Sequence, residues 1–282
     1  MTRIAEALAS ARKRLAVLPH AESELEATLL LSRALEKPRT HLLAWPDKPL
    51  MSGQTERYEA LLQRRLAGEP IAHITGEREF WSLLLEVTPD TLIPRPETEL
   101  LVELALERIP RNAAFRIADL GTGSGAIAAA IGYERPACHI HATDLSAAAL
   151  VVARRNFERL GLKNIVTAQG SWCEALDPTA PFDLIVSNPP YIAEHDAHLT
   201  QGDLPREPRR ALAAGADGLE AIRVIIADAP RHLVAGGILM LEHGFDQGPD
   251  VRRMLADAGF TGVATHRDLG GRERATLAVC PI

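Results

Sequence analysis

The stretch Phe115-Arg116-Ile117-Ala118-Asp119-Leu120 runs directly into Gly121-Thr122-Gly123-Ser124-Gly125 and then into the apolar run from Ala126 to Ile131, and few folds accommodate that order. A short apolar run, a glycine cluster and a helix-forming run read as strand, tight loop and helix. Glycine lets the backbone turn sharply and come close to a ligand, while the helix start presents unpaired N–H groups. The alternation continues along the chain. From about residue 93, helical and strand patterns take turns, with strands expected near 115–120, 138–143, 164–168, 182–187, 236–242 and 274–280. Such an order predicts an α/β domain with a mostly parallel, doubly wound sheet that binds ligands at the carboxyl ends of its strands. Gly121, Asp144 and Asn188 all fall at such ends.

The glycine spacing narrows the ligand. A dinucleotide fold that seats pyrophosphate on the helix wants G-x-G-x-x-G, whereas this loop reads G-x-G-x-G, so a nucleoside without phosphates fits better. Asp144 follows the glycines at about 20 residues, the distance at which a carboxylate accepts the hydroxyls of a ribose. Taken alone, the loop is equally explained as a turn that packs a helix on a strand.

The tetrapeptide Asn188-Pro189-Pro190-Tyr191 follows the apolar run Phe182-Asp183-Leu184-Ile185-Val186-Ser187. Asn188 precedes a proline, which pushes its backbone toward an extended geometry. Pro189 and Pro190 remove two N–H donors and stiffen the loop, leaving carbonyl oxygens free to accept hydrogen bonds from an NH2 group. Tyr191 offers a flat face to a planar group. Asn-Pro-Pro is also ordinary turn material, but after a glycine loop and Asp144 it points to methylation of a planar nitrogen. The joint reading is an S-adenosylmethionine-dependent N-methyltransferase, with Asn188, Pro189 and Tyr191 as catalytic candidates. Asn188, Pro189, Pro190 and Tyr191 would bind the substrate; Gly121, Thr122, Gly123, Ser124, Gly125, Asp144 and Asn188 would bind the cofactor.

The strings Leu120-Gly121-Thr122-Gly123-Ser124-Gly125-Ala126-Ile127-Ala128, Ile185-Val186-Ser187-Asn188-Pro189-Pro190-Tyr191-Ile192 and Ile93-Pro94-Arg95-Pro96-Glu97-Thr98-Glu99-Leu100 resemble the release-factor glutamine methyltransferase family. The likeness extends through Gly68-Glu69-Pro70-Ile71, Leu241-Glu242-His243-Gly244 and Arg272-Glu273-Arg274, and so spans nearly the whole chain. It implies a Rossmann-like class I methyltransferase domain preceded by a small α-helical domain. It also implies transfer of methyl from S-adenosylmethionine to the amide nitrogen (N5) of the glutamine in the Gly-Gly-Gln motif of peptide-chain release factors. By the same resemblance Trp172 would border the adenine. Where many relatives carry an acidic residue just before that aromatic, this chain has Ser171. An adenine-N6 methyltransferase acting on DNA or RNA would use the same tetrapeptide on a flipped base and is the rival reading.

The amino-terminal region supports a separate domain. Ile4, Leu8, Ala11 and Leu15 form one stripe, residues 21–36 repeat the pattern with Leu25 and Leu29, and a third helix opens after Ser52 with Tyr58, Leu61, Leu62 and Leu66 inward. The expected organisation is a helical substrate-docking domain over 1–75, a β-ribbon linker over 76–92 and the methyltransferase domain over 93–282. A purely stabilising role for the helices is the alternative. In the ribbon, Ser82-Leu83-Leu84 stands where the family often has glycine. Arg95, Glu97 and Glu99 read as helix capping and surface pairing.

The net charge of -6 argues against a grip on a long nucleic acid, which draws on clustered Lys and Arg. No direct nucleic-acid substrate is therefore expected. The charge is uneven: residues 1–75 hold 11 basic and 9 acidic side chains, against 20 and 28 in the remainder. Cys138, Cys173 and Cys280 form neither a disulfide framework nor a paired metal motif. The ten histidines show no ligand spacing, so no metal is expected; His195 and His198 with Asp196 read as a solvated loop. No apolar stretch approaches the ~18 residues of a membrane span, and a cytoplasmic location is expected.

Overall fold

The computed structural model describes residues 2–19 and 21–281; Met1, His20 and Ile282 of the expected ranges 1–75 and 93–282 lie outside the described residues. The chain forms two compact units. One takes the described residues up to Glu77 together with Thr200–Arg206, the other Arg78–Leu199 and the described residues from Glu207 onward.

The first unit is helical: α1 (Ile4–Leu15), α2 (Ser23–Leu35), α3 (Arg39–Ala44), α4 (Ser52–Leu66) and α5 (Ile71–Thr75). Ile4, Ala7, Ala11 and Leu15 of α1 are buried at the i, i+3/i+4 spacing of an amphipathic helix. In α2 the buried apolar stripe is Ala27, Leu30, Leu31 and Ala34; Leu25 and Leu29 are only half-buried. Periodicity misplaces this face because Leu29-Leu30-Leu31 carries no contrast, and the phase is set by the helices packed against it. Helices α3 and α5 are too short to leave a periodic signal. On α4, Tyr58, Leu62 and Arg65 are buried. The Arg65 guanidinium donates to both carboxylate oxygens of Glu26, at 2.8 and 2.9 Å, and to Asp203 Oδ1 at 2.7 Å. Residues 200–206, inside the expected 93–282 range, thus pack within the helical unit, where Arg206 also donates to the Ala67 carbonyl.

A two-stranded ribbon, β1 (Glu77–Phe80) and β2 (Leu83–Glu86), follows. Its turn residues Trp81 and Ser82 both have positive φ, +52° and +57°, the geometry that hairpin turns of the mirrored type require. Neither is glycine, so both bear the steric cost of the left-handed region. Replacing Ser82 with glycine is expected to stabilise the protein by about 0.5–1 kcal/mol, a rise of roughly 2–4 °C in Tm by calorimetry. An unchanged or lower Tm would contradict this account of the turn.

The remaining unit holds α6 (Glu99–Arg108), β3 (Arg116–Leu120), α7 (Ala126–Glu134), β4 (His139–Asp144), α8 (Ala147–Arg159), β5 (Ile165–Gln169), β6 (Phe182–Ser187), α9 (Glu220–Asp228), β7 (Leu233–Glu242), α10 (Gly248–Asp257), β8 (Thr261–Arg267) and β9 (Glu273–Val279). The sheet runs β5-β4-β3-β6-β7-β9-β8; the first five strands are mutually parallel, while β9 is antiparallel to β7 and to β8. This is a doubly wound α/β architecture. Both faces are covered, so neighbouring residues of one strand enter different cores. Ile117 joins α6, α7 and α8 through Leu101, Ile131 and Phe157, whereas Ala118 joins α9 and α10 through Ile222 and Val251. Strand β8 was not expected. Its sequence, Thr261-Gly262-Val263-Ala264-Thr265-His266-Arg267, is polar and mostly exposed because it forms a sheet edge.

Candidate active site

Three adjacent strands, β4, β3 and β6, end side by side and carry the motif residues at their carboxyl ends. The Ser187 hydroxyl donates to the Leu120 carbonyl at 2.7 Å, tying the end of β6 to the end of β3 and setting Asn188 beside the glycine loop.

Gly121, Gly123 and Gly125 have φ of +72°, +57° and +85°, a conformation that side-chain-bearing residues rarely hold. A Cβ at Gly121 would lie 3.2 Å from the Trp172 indole, so that ring covers one side of the loop, whereas a Cβ on Gly123 would meet nothing within 4 Å. Trp172 itself has φ +47°, a left-handed strain of the kind held at ligand sites by surrounding structure. Asp144, at the end of β4, accepts from Gly123 N at 2.9 Å and from Ser146 N at 2.7 Å. Each carboxylate oxygen keeps lone pairs for further donors. A carboxylate acceptor, a flat indole over close backbone and a loop without basic side chains fit a nucleoside that carries no phosphate.

Two supports of this loop escaped sequence reading. Asp119 is buried at the end of β3, where its Oδ2 accepts from the Thr122 hydroxyl at 2.6 Å and from Ala128 N at 3.1 Å. Its Oδ1 has no partner among the described residues, and burial pushes the carboxyl up to about 6. A charge inside an apolar strand just ahead of the glycines was the available signal. Asn156 of α8 bonds both the Ser124 carbonyl, at 2.8 Å, and the backbone of Glu86, fastening the ribbon to the loop. Nothing local in the sequence around Asn156 marks that role.

At the end of β6, the Asn188 side chain donates through Nδ2 to the Thr98 hydroxyl at 2.9 Å. Its Oδ1 and the Pro189 and Pro190 carbonyls accept from no donor among the described residues. The Tyr191 hydroxyl donates to Glu242 Oε1 at 3.2 Å, and burial pushes the phenol above its ordinary pKa. The Tyr191 carbonyl accepts from Gln247 Nε2 at 3.0 Å, and Gln247 Oε1 in turn accepts from Gly244 N at 2.8 Å. Gly218, at φ +75°, leaves space for this arrangement: an added Cβ would overlap the Tyr191 carbonyl oxygen. Gly218→Ala is therefore expected to destabilise by about 2–3 kcal/mol, from left-handed strain plus overpacking, and to lower turnover as the loop shifts. Chemical denaturation and initial rates check it; an alanine variant with unaltered midpoint and rate would contradict it.

The loop before α6 also differs from its expected surface role. Arg95 pairs with the buried carboxylate of Glu207, whose other oxygen accepts from Ile93 N at 2.9 Å. Glu99 accepts from Trp81 N at 2.8 Å. His198 pairs with Asp196 at 2.7 Å on an exposed loop. Among the described residues no group of three or more His, Cys, Asp or Glu side chains converges as metal ligands.

Residues 6–76 match the PrmC N-terminal domain and residues 97–217 the methyltransferase small domain. A release factor glutamine methyltransferase from Xylella fastidiosa (strain Temecula1) is 52% identical over 91% of this chain and 93% of its own length. The chain belongs to the release factor glutamine methyltransferase family. A second relative of the same name, from Coxiella burnetii, is 51% identical over 90% of this chain and 91% of its own. Among solved structures, a methyltransferase from Pyrococcus furiosus superposes with a TM-score of 0.55 at 20% identity, covering 78% of this chain and 98% of that one, and shares the fold.

Proposed function

We propose that this chain transfers a methyl group from S-adenosylmethionine to the side-chain amide nitrogen (N5) of the glutamine in the Gly-Gly-Gln motif of peptide-chain release factors. The observation that carries the reading is the Asn188 loop: Nδ2 is committed to Thr98, which leaves Oδ1 and the Pro189 carbonyl to accept both hydrogens of a planar NH2 group. Two acceptor oxygens at one loop suit a primary amide or aromatic amine, whose nitrogen carries two hydrogens, better than a carboxylate, which carries none.

When bound, S-adenosylmethionine supplies an electrophilic methyl group on a sulfonium sulfur. Asp144 would accept from ribose hydroxyls, the loop Gly121, Thr122, Gly123, Ser124 and Gly125 would lie against the amino-acid portion, and Trp172 would border the base. Asn188 Oδ1 and the Pro189 carbonyl orient the amide so that its nitrogen faces the donor, which converts an encounter into a positioned reaction. The same oxygens stabilise the positive charge that builds on nitrogen as the new N–C bond forms and the S–C bond breaks. One amide proton then leaves to solvent, so no strong base is needed beforehand. Tyr191 and Pro190 border the acceptor and hold the loop in place.

The helical unit is the proposed docking module for the protein substrate, a reading supported by the large apolar side chains that Leu43, Trp45 and Met51 expose, at 77%, 59% and 67%. No helix among the described residues is long and apolar enough to cross a membrane. Together with the unpaired thiols of Cys138, Cys173 and Cys280, a release-factor substrate supports a cytoplasmic location.

Incubation with labelled methyl donor and, separately, a release factor, DNA and RNA tests the proposal. Label is expected on the release factor, at the glutamine of Gly-Gly-Gln by tandem mass spectrometry. Label on nucleic acid alone would overturn it.

A further inference from the structure

His243 follows the last residue of β7 and is fully buried, as is Thr276 of β9. The His243 Nδ1 lies 2.8 Å from the Gly244 carbonyl oxygen and its Nε2 lies 2.8 Å from the Thr276 hydroxyl. A carbonyl oxygen can only accept, so Nδ1 carries the hydrogen and, in the neutral ring, Nε2 accepts. Burial holds the imidazole below its ordinary pKa; the Gly244 carbonyl and Glu273 of β9 favour the charged ring, while Arg252 of α10 and Arg274 of β9 oppose it. Thr276 thereby spends its one proton on the imidazole and has to accept from Thr265 of β8, 2.8 Å away. Thr265 in turn accepts from the Arg252 guanidinium at 2.7 Å. Every hydroxyl proton in the chain from Arg252 through Thr265 and Thr276 to His243 is used once, and each bond points toward the Gly244 carbonyl.

That carbonyl also accepts from Gln247 N at 3.0 Å, so His243 and Gln247 converge on one oxygen and close the turn between β7 and α10. Across the turn, Gly244 N donates to Gln247 Oε1 at 2.8 Å. This bond fixes the amide: with its oxygen engaged, Nε2 points the other way and donates to the Tyr191 carbonyl at 3.0 Å. A Cβ on Gly244 would lie 3.0 Å from Gln247 Oε1, so the bare backbone there leaves the amide room to fold back. Tyr191 is thus held at both ends by one segment, its hydroxyl by Glu242 and its carbonyl by Gln247. On the other side of the tetrapeptide, the Ser187 hydroxyl is tied to the Leu120 carbonyl. Between these anchors Pro189 and Pro190 have fixed φ, so the direction of the Pro189 carbonyl and the setting of Asn188 follow from where Ser187 and Tyr191 are held.

We propose that His243 is a positioning residue for the transfer reaction: its Nδ1–H, directed by the Thr276 hydroxyl, holds the turn from which the Gln247 amide grips the Tyr191 carbonyl, and so sets the two acceptor oxygens of the tetrapeptide. This deepens the reading under Proposed function and rests on it. His243 acts through Gln247 and Tyr191 and not on the reacting atoms. Without its donor the turn loosens, and the Pro189 carbonyl drifts from alignment with the hydrogens of the substrate amide. A misplacement of that kind costs rate more than binding.

Assays with labelled donor and release factor, on full-length variants whose folding is checked by circular dichroism, test the proposal. His243→Gln fills most of the imidazole volume and can still accept from Thr276, but it has no donor at the Nδ1 position. Its kcat is expected to fall about 10- to 50-fold, with KM for S-adenosylmethionine changed less than about threefold. His243→Asn is smaller, yet its Nδ2 stands where Nδ1 does, and its kcat is expected within about fivefold of wild type. A purely space-filling role would reverse that order, because the smaller side chain leaves the larger cavity. Gln247→Glu keeps an acceptor for Gly244 N and loses the donor to Tyr191; it should match the loss in His243→Gln, and the two changes together should be less than additive. NMR of the wild type with 15N-labelled histidine should show His243 as the Nδ1–H tautomer, neutral at pH 6.5. Wild-type kcat in Gln247→Glu, a faster His243→Gln than His243→Asn, or an Nε2–H tautomer would each overturn the proposal. Should the His243 variants not fold, Gln247→Glu and the tautomer decide. A wild type that methylates no release factor would instead defeat the functional reading itself.

Discussion

Asn188→Ala is expected to cut kcat for methyl transfer by about 100- to 1000-fold while the affinity for S-adenosylmethionine changes only a few-fold. The variant removes Oδ1, one of two oxygens positioned to accept from the substrate NH2, and losing one such group costs roughly 3–4 kcal/mol of transition-state stabilisation. The other groups proposed for the cofactor lie elsewhere, Asp144 on β4, the glycine loop after β3 and Trp172 after β5. The fold should tolerate the change, because the lost side chain is only half-buried and its bond to Thr98 is replaceable by water. Stopped-assay rates with labelled donor, paired with calorimetric titration of the cofactor, separate the two effects. A variant with wild-type kcat would remove Asn188 from the chemistry. A variant that loses cofactor binding in proportion to rate would make it a cofactor ligand only.

The second large effect lies in the helical unit. Arg65→Met should destabilise the protein by about 3–5 kcal/mol, because Glu26 is left as a buried carboxylate without its guanidinium. Arg65 and Glu26 are 6% and 7% exposed and share two hydrogen bonds. Burial alone would lower the guanidinium pKa; the bonds to Glu26 and Asp203 outweigh it and raise the value. Asp203 is more open to solvent and adds less. Replacing Arg65 by Met and Glu26 by Leu together should recover most of the loss, since the cost comes from the stranded charge and not from missing attraction. Urea unfolding followed by circular dichroism reads both. A single variant within about 1 kcal/mol of wild type would contradict the pairing as a stability determinant.

Much of this molecule could be read from residues alone where a physical constraint acts locally. The glycine loop after β3 follows from residues that must hold positive φ, and the strands β3 and β6 from apolar runs buried on both faces. Asp144 and Asn188 were reachable because both close a strand whose pattern is plain. What escaped reading depends on partners distant in sequence. The phase of α2 is chosen by α1 and α4, and β8 is a polar edge whose pairing with β9 is visible only in three dimensions. Glu207 meets Arg95 across more than a hundred residues, and Arg65 meets Asp203 across a longer span. Glu242 is marked in the sequence only as part of Leu241-Glu242-His243-Gly244, because its bond to the Tyr191 hydroxyl joins two segments distant in sequence. The Trp81-Ser82 turn shows the converse: the missing glycine is a real departure, and the chain adopts the left-handed turn regardless.

The most direct measurement is a crystal structure of the chain with the demethylated cofactor product and a release-factor fragment containing Gly-Gly-Gln. The glutamine side-chain nitrogen is expected within hydrogen-bond distance of both Asn188 Oδ1 and the Pro189 carbonyl, on the side of the loop that faces the cofactor sulfur. A glutamine amide bound away from these two oxygens, with the sulfur facing some other acceptor, would contradict the assignment.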